Sequence, residues 1–106
     1  MTTFDEREEA FEKKFAIEEE LKFKAEARRN RLLGLWAAEQ LGLSGPAADS
    51  YAHDVVRSSF DAPAGGVTRK ILADFAAGNV AVPEATIADK LNELLAQALA
   101  QLKAGK

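Results

Sequence analysis

The chain has no cysteine, one histidine, one methionine and three prolines among its 106 residues. Without cysteine there is no disulfide framework, no thiol nucleophile and no thiolate zinc site. A single imidazole and a single thioether leave little material for soft-metal coordination. Positive charge is not in excess either: 14 Lys and Arg stand against 17 Asp and Glu, for a formal net charge of −3. That balance argues against general nucleic-acid binding, which calls for a strongly basic face. Long apolar runs are also missing, and none approaches the roughly 20 residues needed to insert into and cross a bilayer. The start, Met1-Thr2-Thr3-Phe4-Asp5, is acidic where a secretory signal is basic and then apolar. The expectation is a small cytoplasmic protein of one domain with no resident metal and no resident cofactor.

What is present is charge, concentrated in the first thirty residues. Phe4-Asp5-Glu6-Arg7-Glu8-Glu9-Ala10-Phe11-Glu12-Lys13-Lys14-Phe15 is ionic at almost every position, and its apolar exceptions are phenylalanines and one alanine. At about 100° per residue, Phe4, Phe11 and Phe15 fall within about 40° of one another. A stripe that narrow cannot anchor a core, but it can enter the surface of a partner. Glu9 with Lys13, Glu18 with Lys22 and Glu20 with Lys24 are spaced i,i+4 with the acid first, each pair worth about 0.2–0.5 kcal/mol in an isolated helix. Such support is marginal, so the spacing predicts a charged helical arm over residues 1–19, mobile when free. Residues 20–106 follow as a four-helix bundle.

From Leu21 the apolar face widens. Leu21, Ala25, Leu32, Leu33, Leu35 and Trp36 form a surface of the kind that packs in a bundle. No breaker interrupts the helical pattern between about Asp5 and Gln40. Gly42-Leu43-Ser44-Gly45-Pro46 then ends one helix and starts another, with Ser44 or Gly45 as the cap and proline in the first turn. The second helix presents Ala48, Tyr51, Ala52, Val55, Val56 and Phe60, and Asp61-Ala62-Pro63-Ala64-Gly65-Gly66 reads as a loop. Val67, Ile71, Leu72 and Phe75 mark a third helix ending at Gly78-Asn79. Val80-Ala81-Val82 is an extended link into Pro83, the first residue of a fourth helix carrying Ile87, Leu91, Leu94, Leu95, Ala98, Leu99 and Leu102. No stretch alternates long enough for a strand. The predicted class is all-α.

Few residues could carry chemistry. Glu8-Glu9 and Glu18-Glu19-Glu20 project around an exposed helix, and His53 with Asp54 at i,i+1 point apart rather than forming a dyad. The expectation is a protein that is not an enzyme and binds no metal. Arg28-Arg29-Asn30-Arg31 is either a solvated turn that balances the upstream glutamates or a secondary partner contact through Arg28, Arg29 and Arg31. Gly65-Gly66-Val67-Thr68-Arg69-Lys70 suggests an anion site at a helix start, but it lacks Walker spacing and follows no strand. Weak ATP or ADP contact at Arg69 and Lys70 stays as an alternative to a plain flexible loop. Trp36 reads as a core anchor.

The run Phe4 to Ala16 resembles the N-terminus of the zeta subunit family, the ATPase inhibitor proteins of alphaproteobacterial F-type ATP synthases. The stretch Glu19 to Glu39, with Ala27-Arg28-Arg29-Asn30-Arg31-Leu32-Leu33-Gly34-Leu35-Trp36, is similar to the continuation of that family's signature, and weaker likeness extends through Val55-Val56 and Ala73-Asp74-Phe75. The resemblance implies a four-helix protein whose N-terminal segment enters the F1 catalytic sector and blocks ATP hydrolysis. Its partners would be the alpha, beta and gamma subunits of F1, and its place the cytoplasm at the inner-membrane face. Phe4, Phe11 and Phe15 would then be anchors, and Glu6, Arg7, Glu8, Glu12 and Lys14 charged contacts that set register. Where family members commonly carry His-Asp, this chain has Ile17-Glu18, so an imidazole switch in the arm is not expected. The free chain is expected to be a monomer. Two other functions remain open on the residues alone: a nucleotide-binding energy sensor and a non-inhibitory assembly factor of the synthase.

Overall fold

A computed structural model describes residues 3–62 and 65–105, with side chains from Glu18 onward. Within those residues the chain is all-α, with four helices: α1 (Thr3–Gln40), α2 (Gly45–Asp61), α3 (Gly66–Ala77) and α4 (Glu84–Lys103). The side chains of Phe4, Glu6, Arg7, Glu8, Phe11, Glu12, Lys14 and Phe15 lie outside the described ones, as do Pro63 and Ala64 of the predicted loop. Helix boundaries fall within a residue or two of expectation. Asp61 closes α2 and Gly66 opens α3, so the intervening loop is shorter than the turn-forming residues suggested. Pro83 sits at the N-cap of α4 instead of its first turn, with φ −71° and ψ 154°.

Two helix ends are built alike. After α1, the Leu43 N–H donates to the Ala38 carbonyl at 2.8 Å and the Gly42 N–H to the Glu39 carbonyl at 3.0 Å. After α3, the Val80 N–H donates to the Phe75 carbonyl at 2.8 Å and the Asn79 N–H to the Ala76 carbonyl at 3.3 Å. Both are Schellman ends that satisfy the last carbonyls of a helix, and each needs a left-handed residue. Gly42 provides it at φ +79°, and Asn79 provides it at φ +57°, where asparagine is tolerated. Ser44 occupies the N-cap of α2 in extended geometry without a side-chain capping bond.

The sides of α1 explain the rest. Leu21 and Ala25 share the lining of one cavity with Leu95 and Leu99 of α4. On the opposite side, about 180° round the helix, Gly34 lies against Ala52 and Val55 of α2. A Cβ on Gly34 would sit 2.6 Å from the Ala52 Cα, so glycine is what lets the two backbones approach. Between these sides, Leu33 and Ala37 face the core, joined there by Val55 of α2, Val67, Ile71 and Phe75 of α3, and Ile87 and Leu94 of α4. Trp36 packs its edge on Phe75, with ring centroids 5.9 Å apart and planes at 69°. It is half-buried, an anchor at the margin of the core with Lys90 Nζ 5.8 Å from its ring centre. The α2 face differs from expectation in one place. Ala52 and Val55 are buried, but Phe60 is 75% exposed because it lies roughly 110° off their line in the last turn.

Candidate functional site

The Arg28–Arg31 cluster divides between two faces, as about 100° per residue requires. Lys24, Arg28 and Arg31 stand at i, i+4 and i+7, and they line one open groove with Ala27 of α1, Asp49, His53 and Val56 of α2, and Leu102 of α4. The groove has a volume of about 630 Å³. Arg28 reaches across it and donates to the Gln101 Oε1 of α4 at 3.4 Å. Lys24 also pairs with Glu20 at 3.0 Å, both side chains being well exposed. His53 is exposed and belongs to this wall, which the i,i+1 spacing to Asp54 did not indicate. The signal for the wall is present in the sequence as the 24, 28, 31 spacing, which begins four residues before the arginine cluster.

Arg29 turns the other way. Its Nε and Nη2 donate to the Asn30 Oδ1 at 3.2 and 3.1 Å, and Asn30 is the one polar side chain among the described residues that is nearly fully buried. That pair lines a second, smaller cleft of about 410 Å³ together with Phe23 and Phe60. Among the described residues these two are the large apolar side chains left exposed, Phe23 at 67%. The arginines thus do not act as one patch. Arg29 serves the fold by satisfying a buried amide oxygen, while Arg28 and Arg31 face the groove.

The glycine-loop cations also separate. Lys70 reaches forward along α3 and over α2: its Nζ is 3.0 Å from the Asp74 Oδ2 and 5.1 Å from the centre of the Tyr51 ring. Tyr51 donates its hydroxyl proton to the same Asp74 oxygen at 2.8 Å. Burial, then the bond to Asp74 and its charge, and last the charge of Asp54 push the Tyr51 hydroxyl far above the ordinary tyrosine value. Lys70 is therefore part of a structural tie between α2 and α3. The Arg69 backbone N–H donates to the Gly65 carbonyl at 3.1 Å, which helps start α3.

No three His, Cys, Asp or Glu side chains gather as a metal cluster among the described residues, and no helix is long and apolar enough to cross a membrane. What the described surface does offer is grooves between helices, one of them cationic and one aromatic-rimmed. The fold and these surfaces define a small helical interaction protein. The chain belongs to the ATPase inhibitor subunit zeta family, whose model matches residues 1–101. Membership supports an inhibitory role toward an ATPase. A protein solved by solution NMR is similar, at 45% identity over 81% of this chain and 99% of that one, with a TM-score of 0.71. The curated proteins compared with it contain no match.

Proposed function

We propose that this chain blocks ATP hydrolysis by the F1 head of an ATP synthase by inserting residues 1–19, while residues 20–106 act as the holder at the entrance. The observation that carries the reading is the extent of the family match, residues 1–101, which spans the Phe-striped segment and the bundle together. One continuous α1 from Thr3 to Gln40 supports it physically. The charged segment and the packed segment share one shaft, so a wedge that enters a crevice is braced by the bundle behind it. Residues 3–19 as helix extend about 25 Å at ~1.5 Å per residue, enough to reach past the rim of a subunit interface.

In this mechanism Phe4, Phe11 and Phe15 fill apolar pockets and carry most of the contact energy. Glu6, Arg7, Glu8, Glu12 and Lys14 pair with groups on the alpha, beta and gamma subunits and set register and encounter rate. Inhibition is mechanical: the inserted helix opposes the rotation that hydrolysis drives, and the bundle is too wide to follow it in. The site of action is the synthase at the inner-membrane face. The test is ATP hydrolysis by the matching F1 complex with the full chain and with a version lacking residues 1–19. Inhibition by the full chain and none by the shortened one is the expected result. Equal inhibition by both would remove the arm from the mechanism.

A further inference from the structure

The fourth side of α1, the one facing away from α3, is open. α2 flanks α1 on one side through the Gly34 contact and α4 on the other through Leu21 and Ala25, so α1 is the floor of a slot between two helices. Lys24, Arg28 and Arg31 occupy about 10 Å of that floor, two helical turns at ~1.5 Å per residue. Ala27, Val56 and Leu102 add apolar surface, and Asp49 is the one carboxylate among the lining residues. Three cations against Asp49 in the groove and Glu20 beside Lys24 leave a positive balance, the reverse of the chain's own charge, −3 overall. A helical slot that is apolar in part and cationic along its floor is suited to an amphipathic helix carrying acidic residues.

We propose that this groove docks an acidic amphipathic helix on the surface of the ATPase that the chain inhibits, as a second anchor beside the arm. The inference rests on the inhibitory reading above and names a separate contact for it. Lys24 lies five positions beyond Glu19, about 7.5 Å along the helix, so the groove begins where the inserted segment would leave the crevice. Docking there fixes the rotation of α1 about its axis and therefore which way the phenylalanine stripe faces. Opposite charges on the two surfaces also raise the rate of productive encounter and make it sensitive to salt.

The experiment measures inhibition of ATP hydrolysis by full-length variants on the isolated F1 head, at about 20 mM and about 200 mM salt. K24E/R31E leaves the Arg28 bond to Gln101 in place and reverses two groove charges. It should raise the half-inhibitory concentration about tenfold at low salt and less at high salt, with the same residual activity at saturation. R69E, on α3 across the bundle, should stay within about twofold of the parent chain. Far-UV circular dichroism and thermal melting establish that each variant is folded. A folded K24E/R31E protein that inhibits as the parent does would overturn the proposal. So would a loss in R69E half as large or more on a logarithmic scale, because the effect of one reversal against two would then follow net charge and not the groove. F11A separates the two readings: if it inhibits normally while K24E/R31E does not, the arm reading falls and the groove remains.

Discussion

Between Asp5 and Glu20, α1 is charged at most positions and its few apolar residues make a thin stripe; between Leu21 and Gln40 the same helix buries Ala25, Leu33, Ala37 and Ala38 completely. In the second segment helicity is supported by packing against three other helices. In the first, local pairs at i,i+4 offer a few tenths of a kcal/mol each. On the proposed mechanism, insertion is the work of the first stretch, while the second carries the stability of the fold. A protein arranged this way can tolerate change in the first stretch without unfolding.

The largest expected effect exploits that separation. Phe75 is 1% exposed and holds the edge of Trp36, so Phe75→Ala should cost about 3–5 kcal/mol of unfolding free energy in a urea titration. Phe11→Ala should leave the urea midpoint nearly unchanged and weaken inhibition by tenfold or more, as truncation of an interface anchor does. If Phe11→Ala unfolds the protein as readily as Phe75→Ala, the two stretches are not independent and the comparison fails.

Gly34 sharpens it from inside the packed stretch. Alanine is the better helix former by about 0.8–1.0 kcal/mol, and on an exposed helix the change would stabilise. Here the added methyl would lie 2.6 Å from the Ala52 Cα and 3.2 Å from the Val55 Cβ, against backbone that cannot swing aside. Gly34→Ala should therefore destabilise by about 1–3 kcal/mol despite its propensity. A stabilised Gly34→Ala variant in thermal melts would mean that the α1–α2 seam is looser than its geometry.

Much of this architecture is legible in the sequence because helix signals are local. Gly42, Pro46, Gly78-Asn79 and Pro83 each act on their own neighbours, and α1 and α3 end, and α2 and α4 begin, within a residue or two of them. Side-chain destinations depend on which helix covers which, and that is not local. Phe60 has the spacing of a core residue and stands exposed because α2 rotates it off the buried line near its end. Arg29 reads as one of a cationic trio and is instead bonded to buried Asn30. His53 joins Lys24 and Arg31 across the α1–α2 seam, a distance of more than twenty residues that no spacing rule connects.

Tyr51 tests the polar side of the packed region. The folded state raises its hydroxyl above the ordinary value near 10, through burial and the bond to Asp74. At neutral pH both folded and unfolded chains keep the proton, and the stabilisation is complete. As pH rises past about 10 the unfolded chain gives up the proton and the folded one holds it, so stability falls with pH in that range. Tyr51→Phe should lose about 1 kcal/mol at pH 7 and flatten the decline above pH 10 when melting temperature is followed against pH. Equal slopes in the two proteins would show that Tyr51 is not the group responsible.

The smallest effect falls at the junction of the two stretches. Glu20 and Lys24 pair at 3.0 Å with side chains 65% and 60% exposed, a geometry in which solvent screens most of the attraction. Glu20→Gln should change unfolding free energy by no more than about 0.5 kcal/mol. It also leaves Lys24 without a competing carboxylate one turn away, so the groove becomes more cationic while the fold is untouched. The consequence is that inhibition at low salt should be unchanged or slightly stronger, opposite in sign to K24E/R31E. Weaker inhibition by a fully folded Glu20→Gln protein would place Glu20 itself in the contact. The boundary between wedge and holder would then lie beyond Glu20, inside the stretch assigned here to packing.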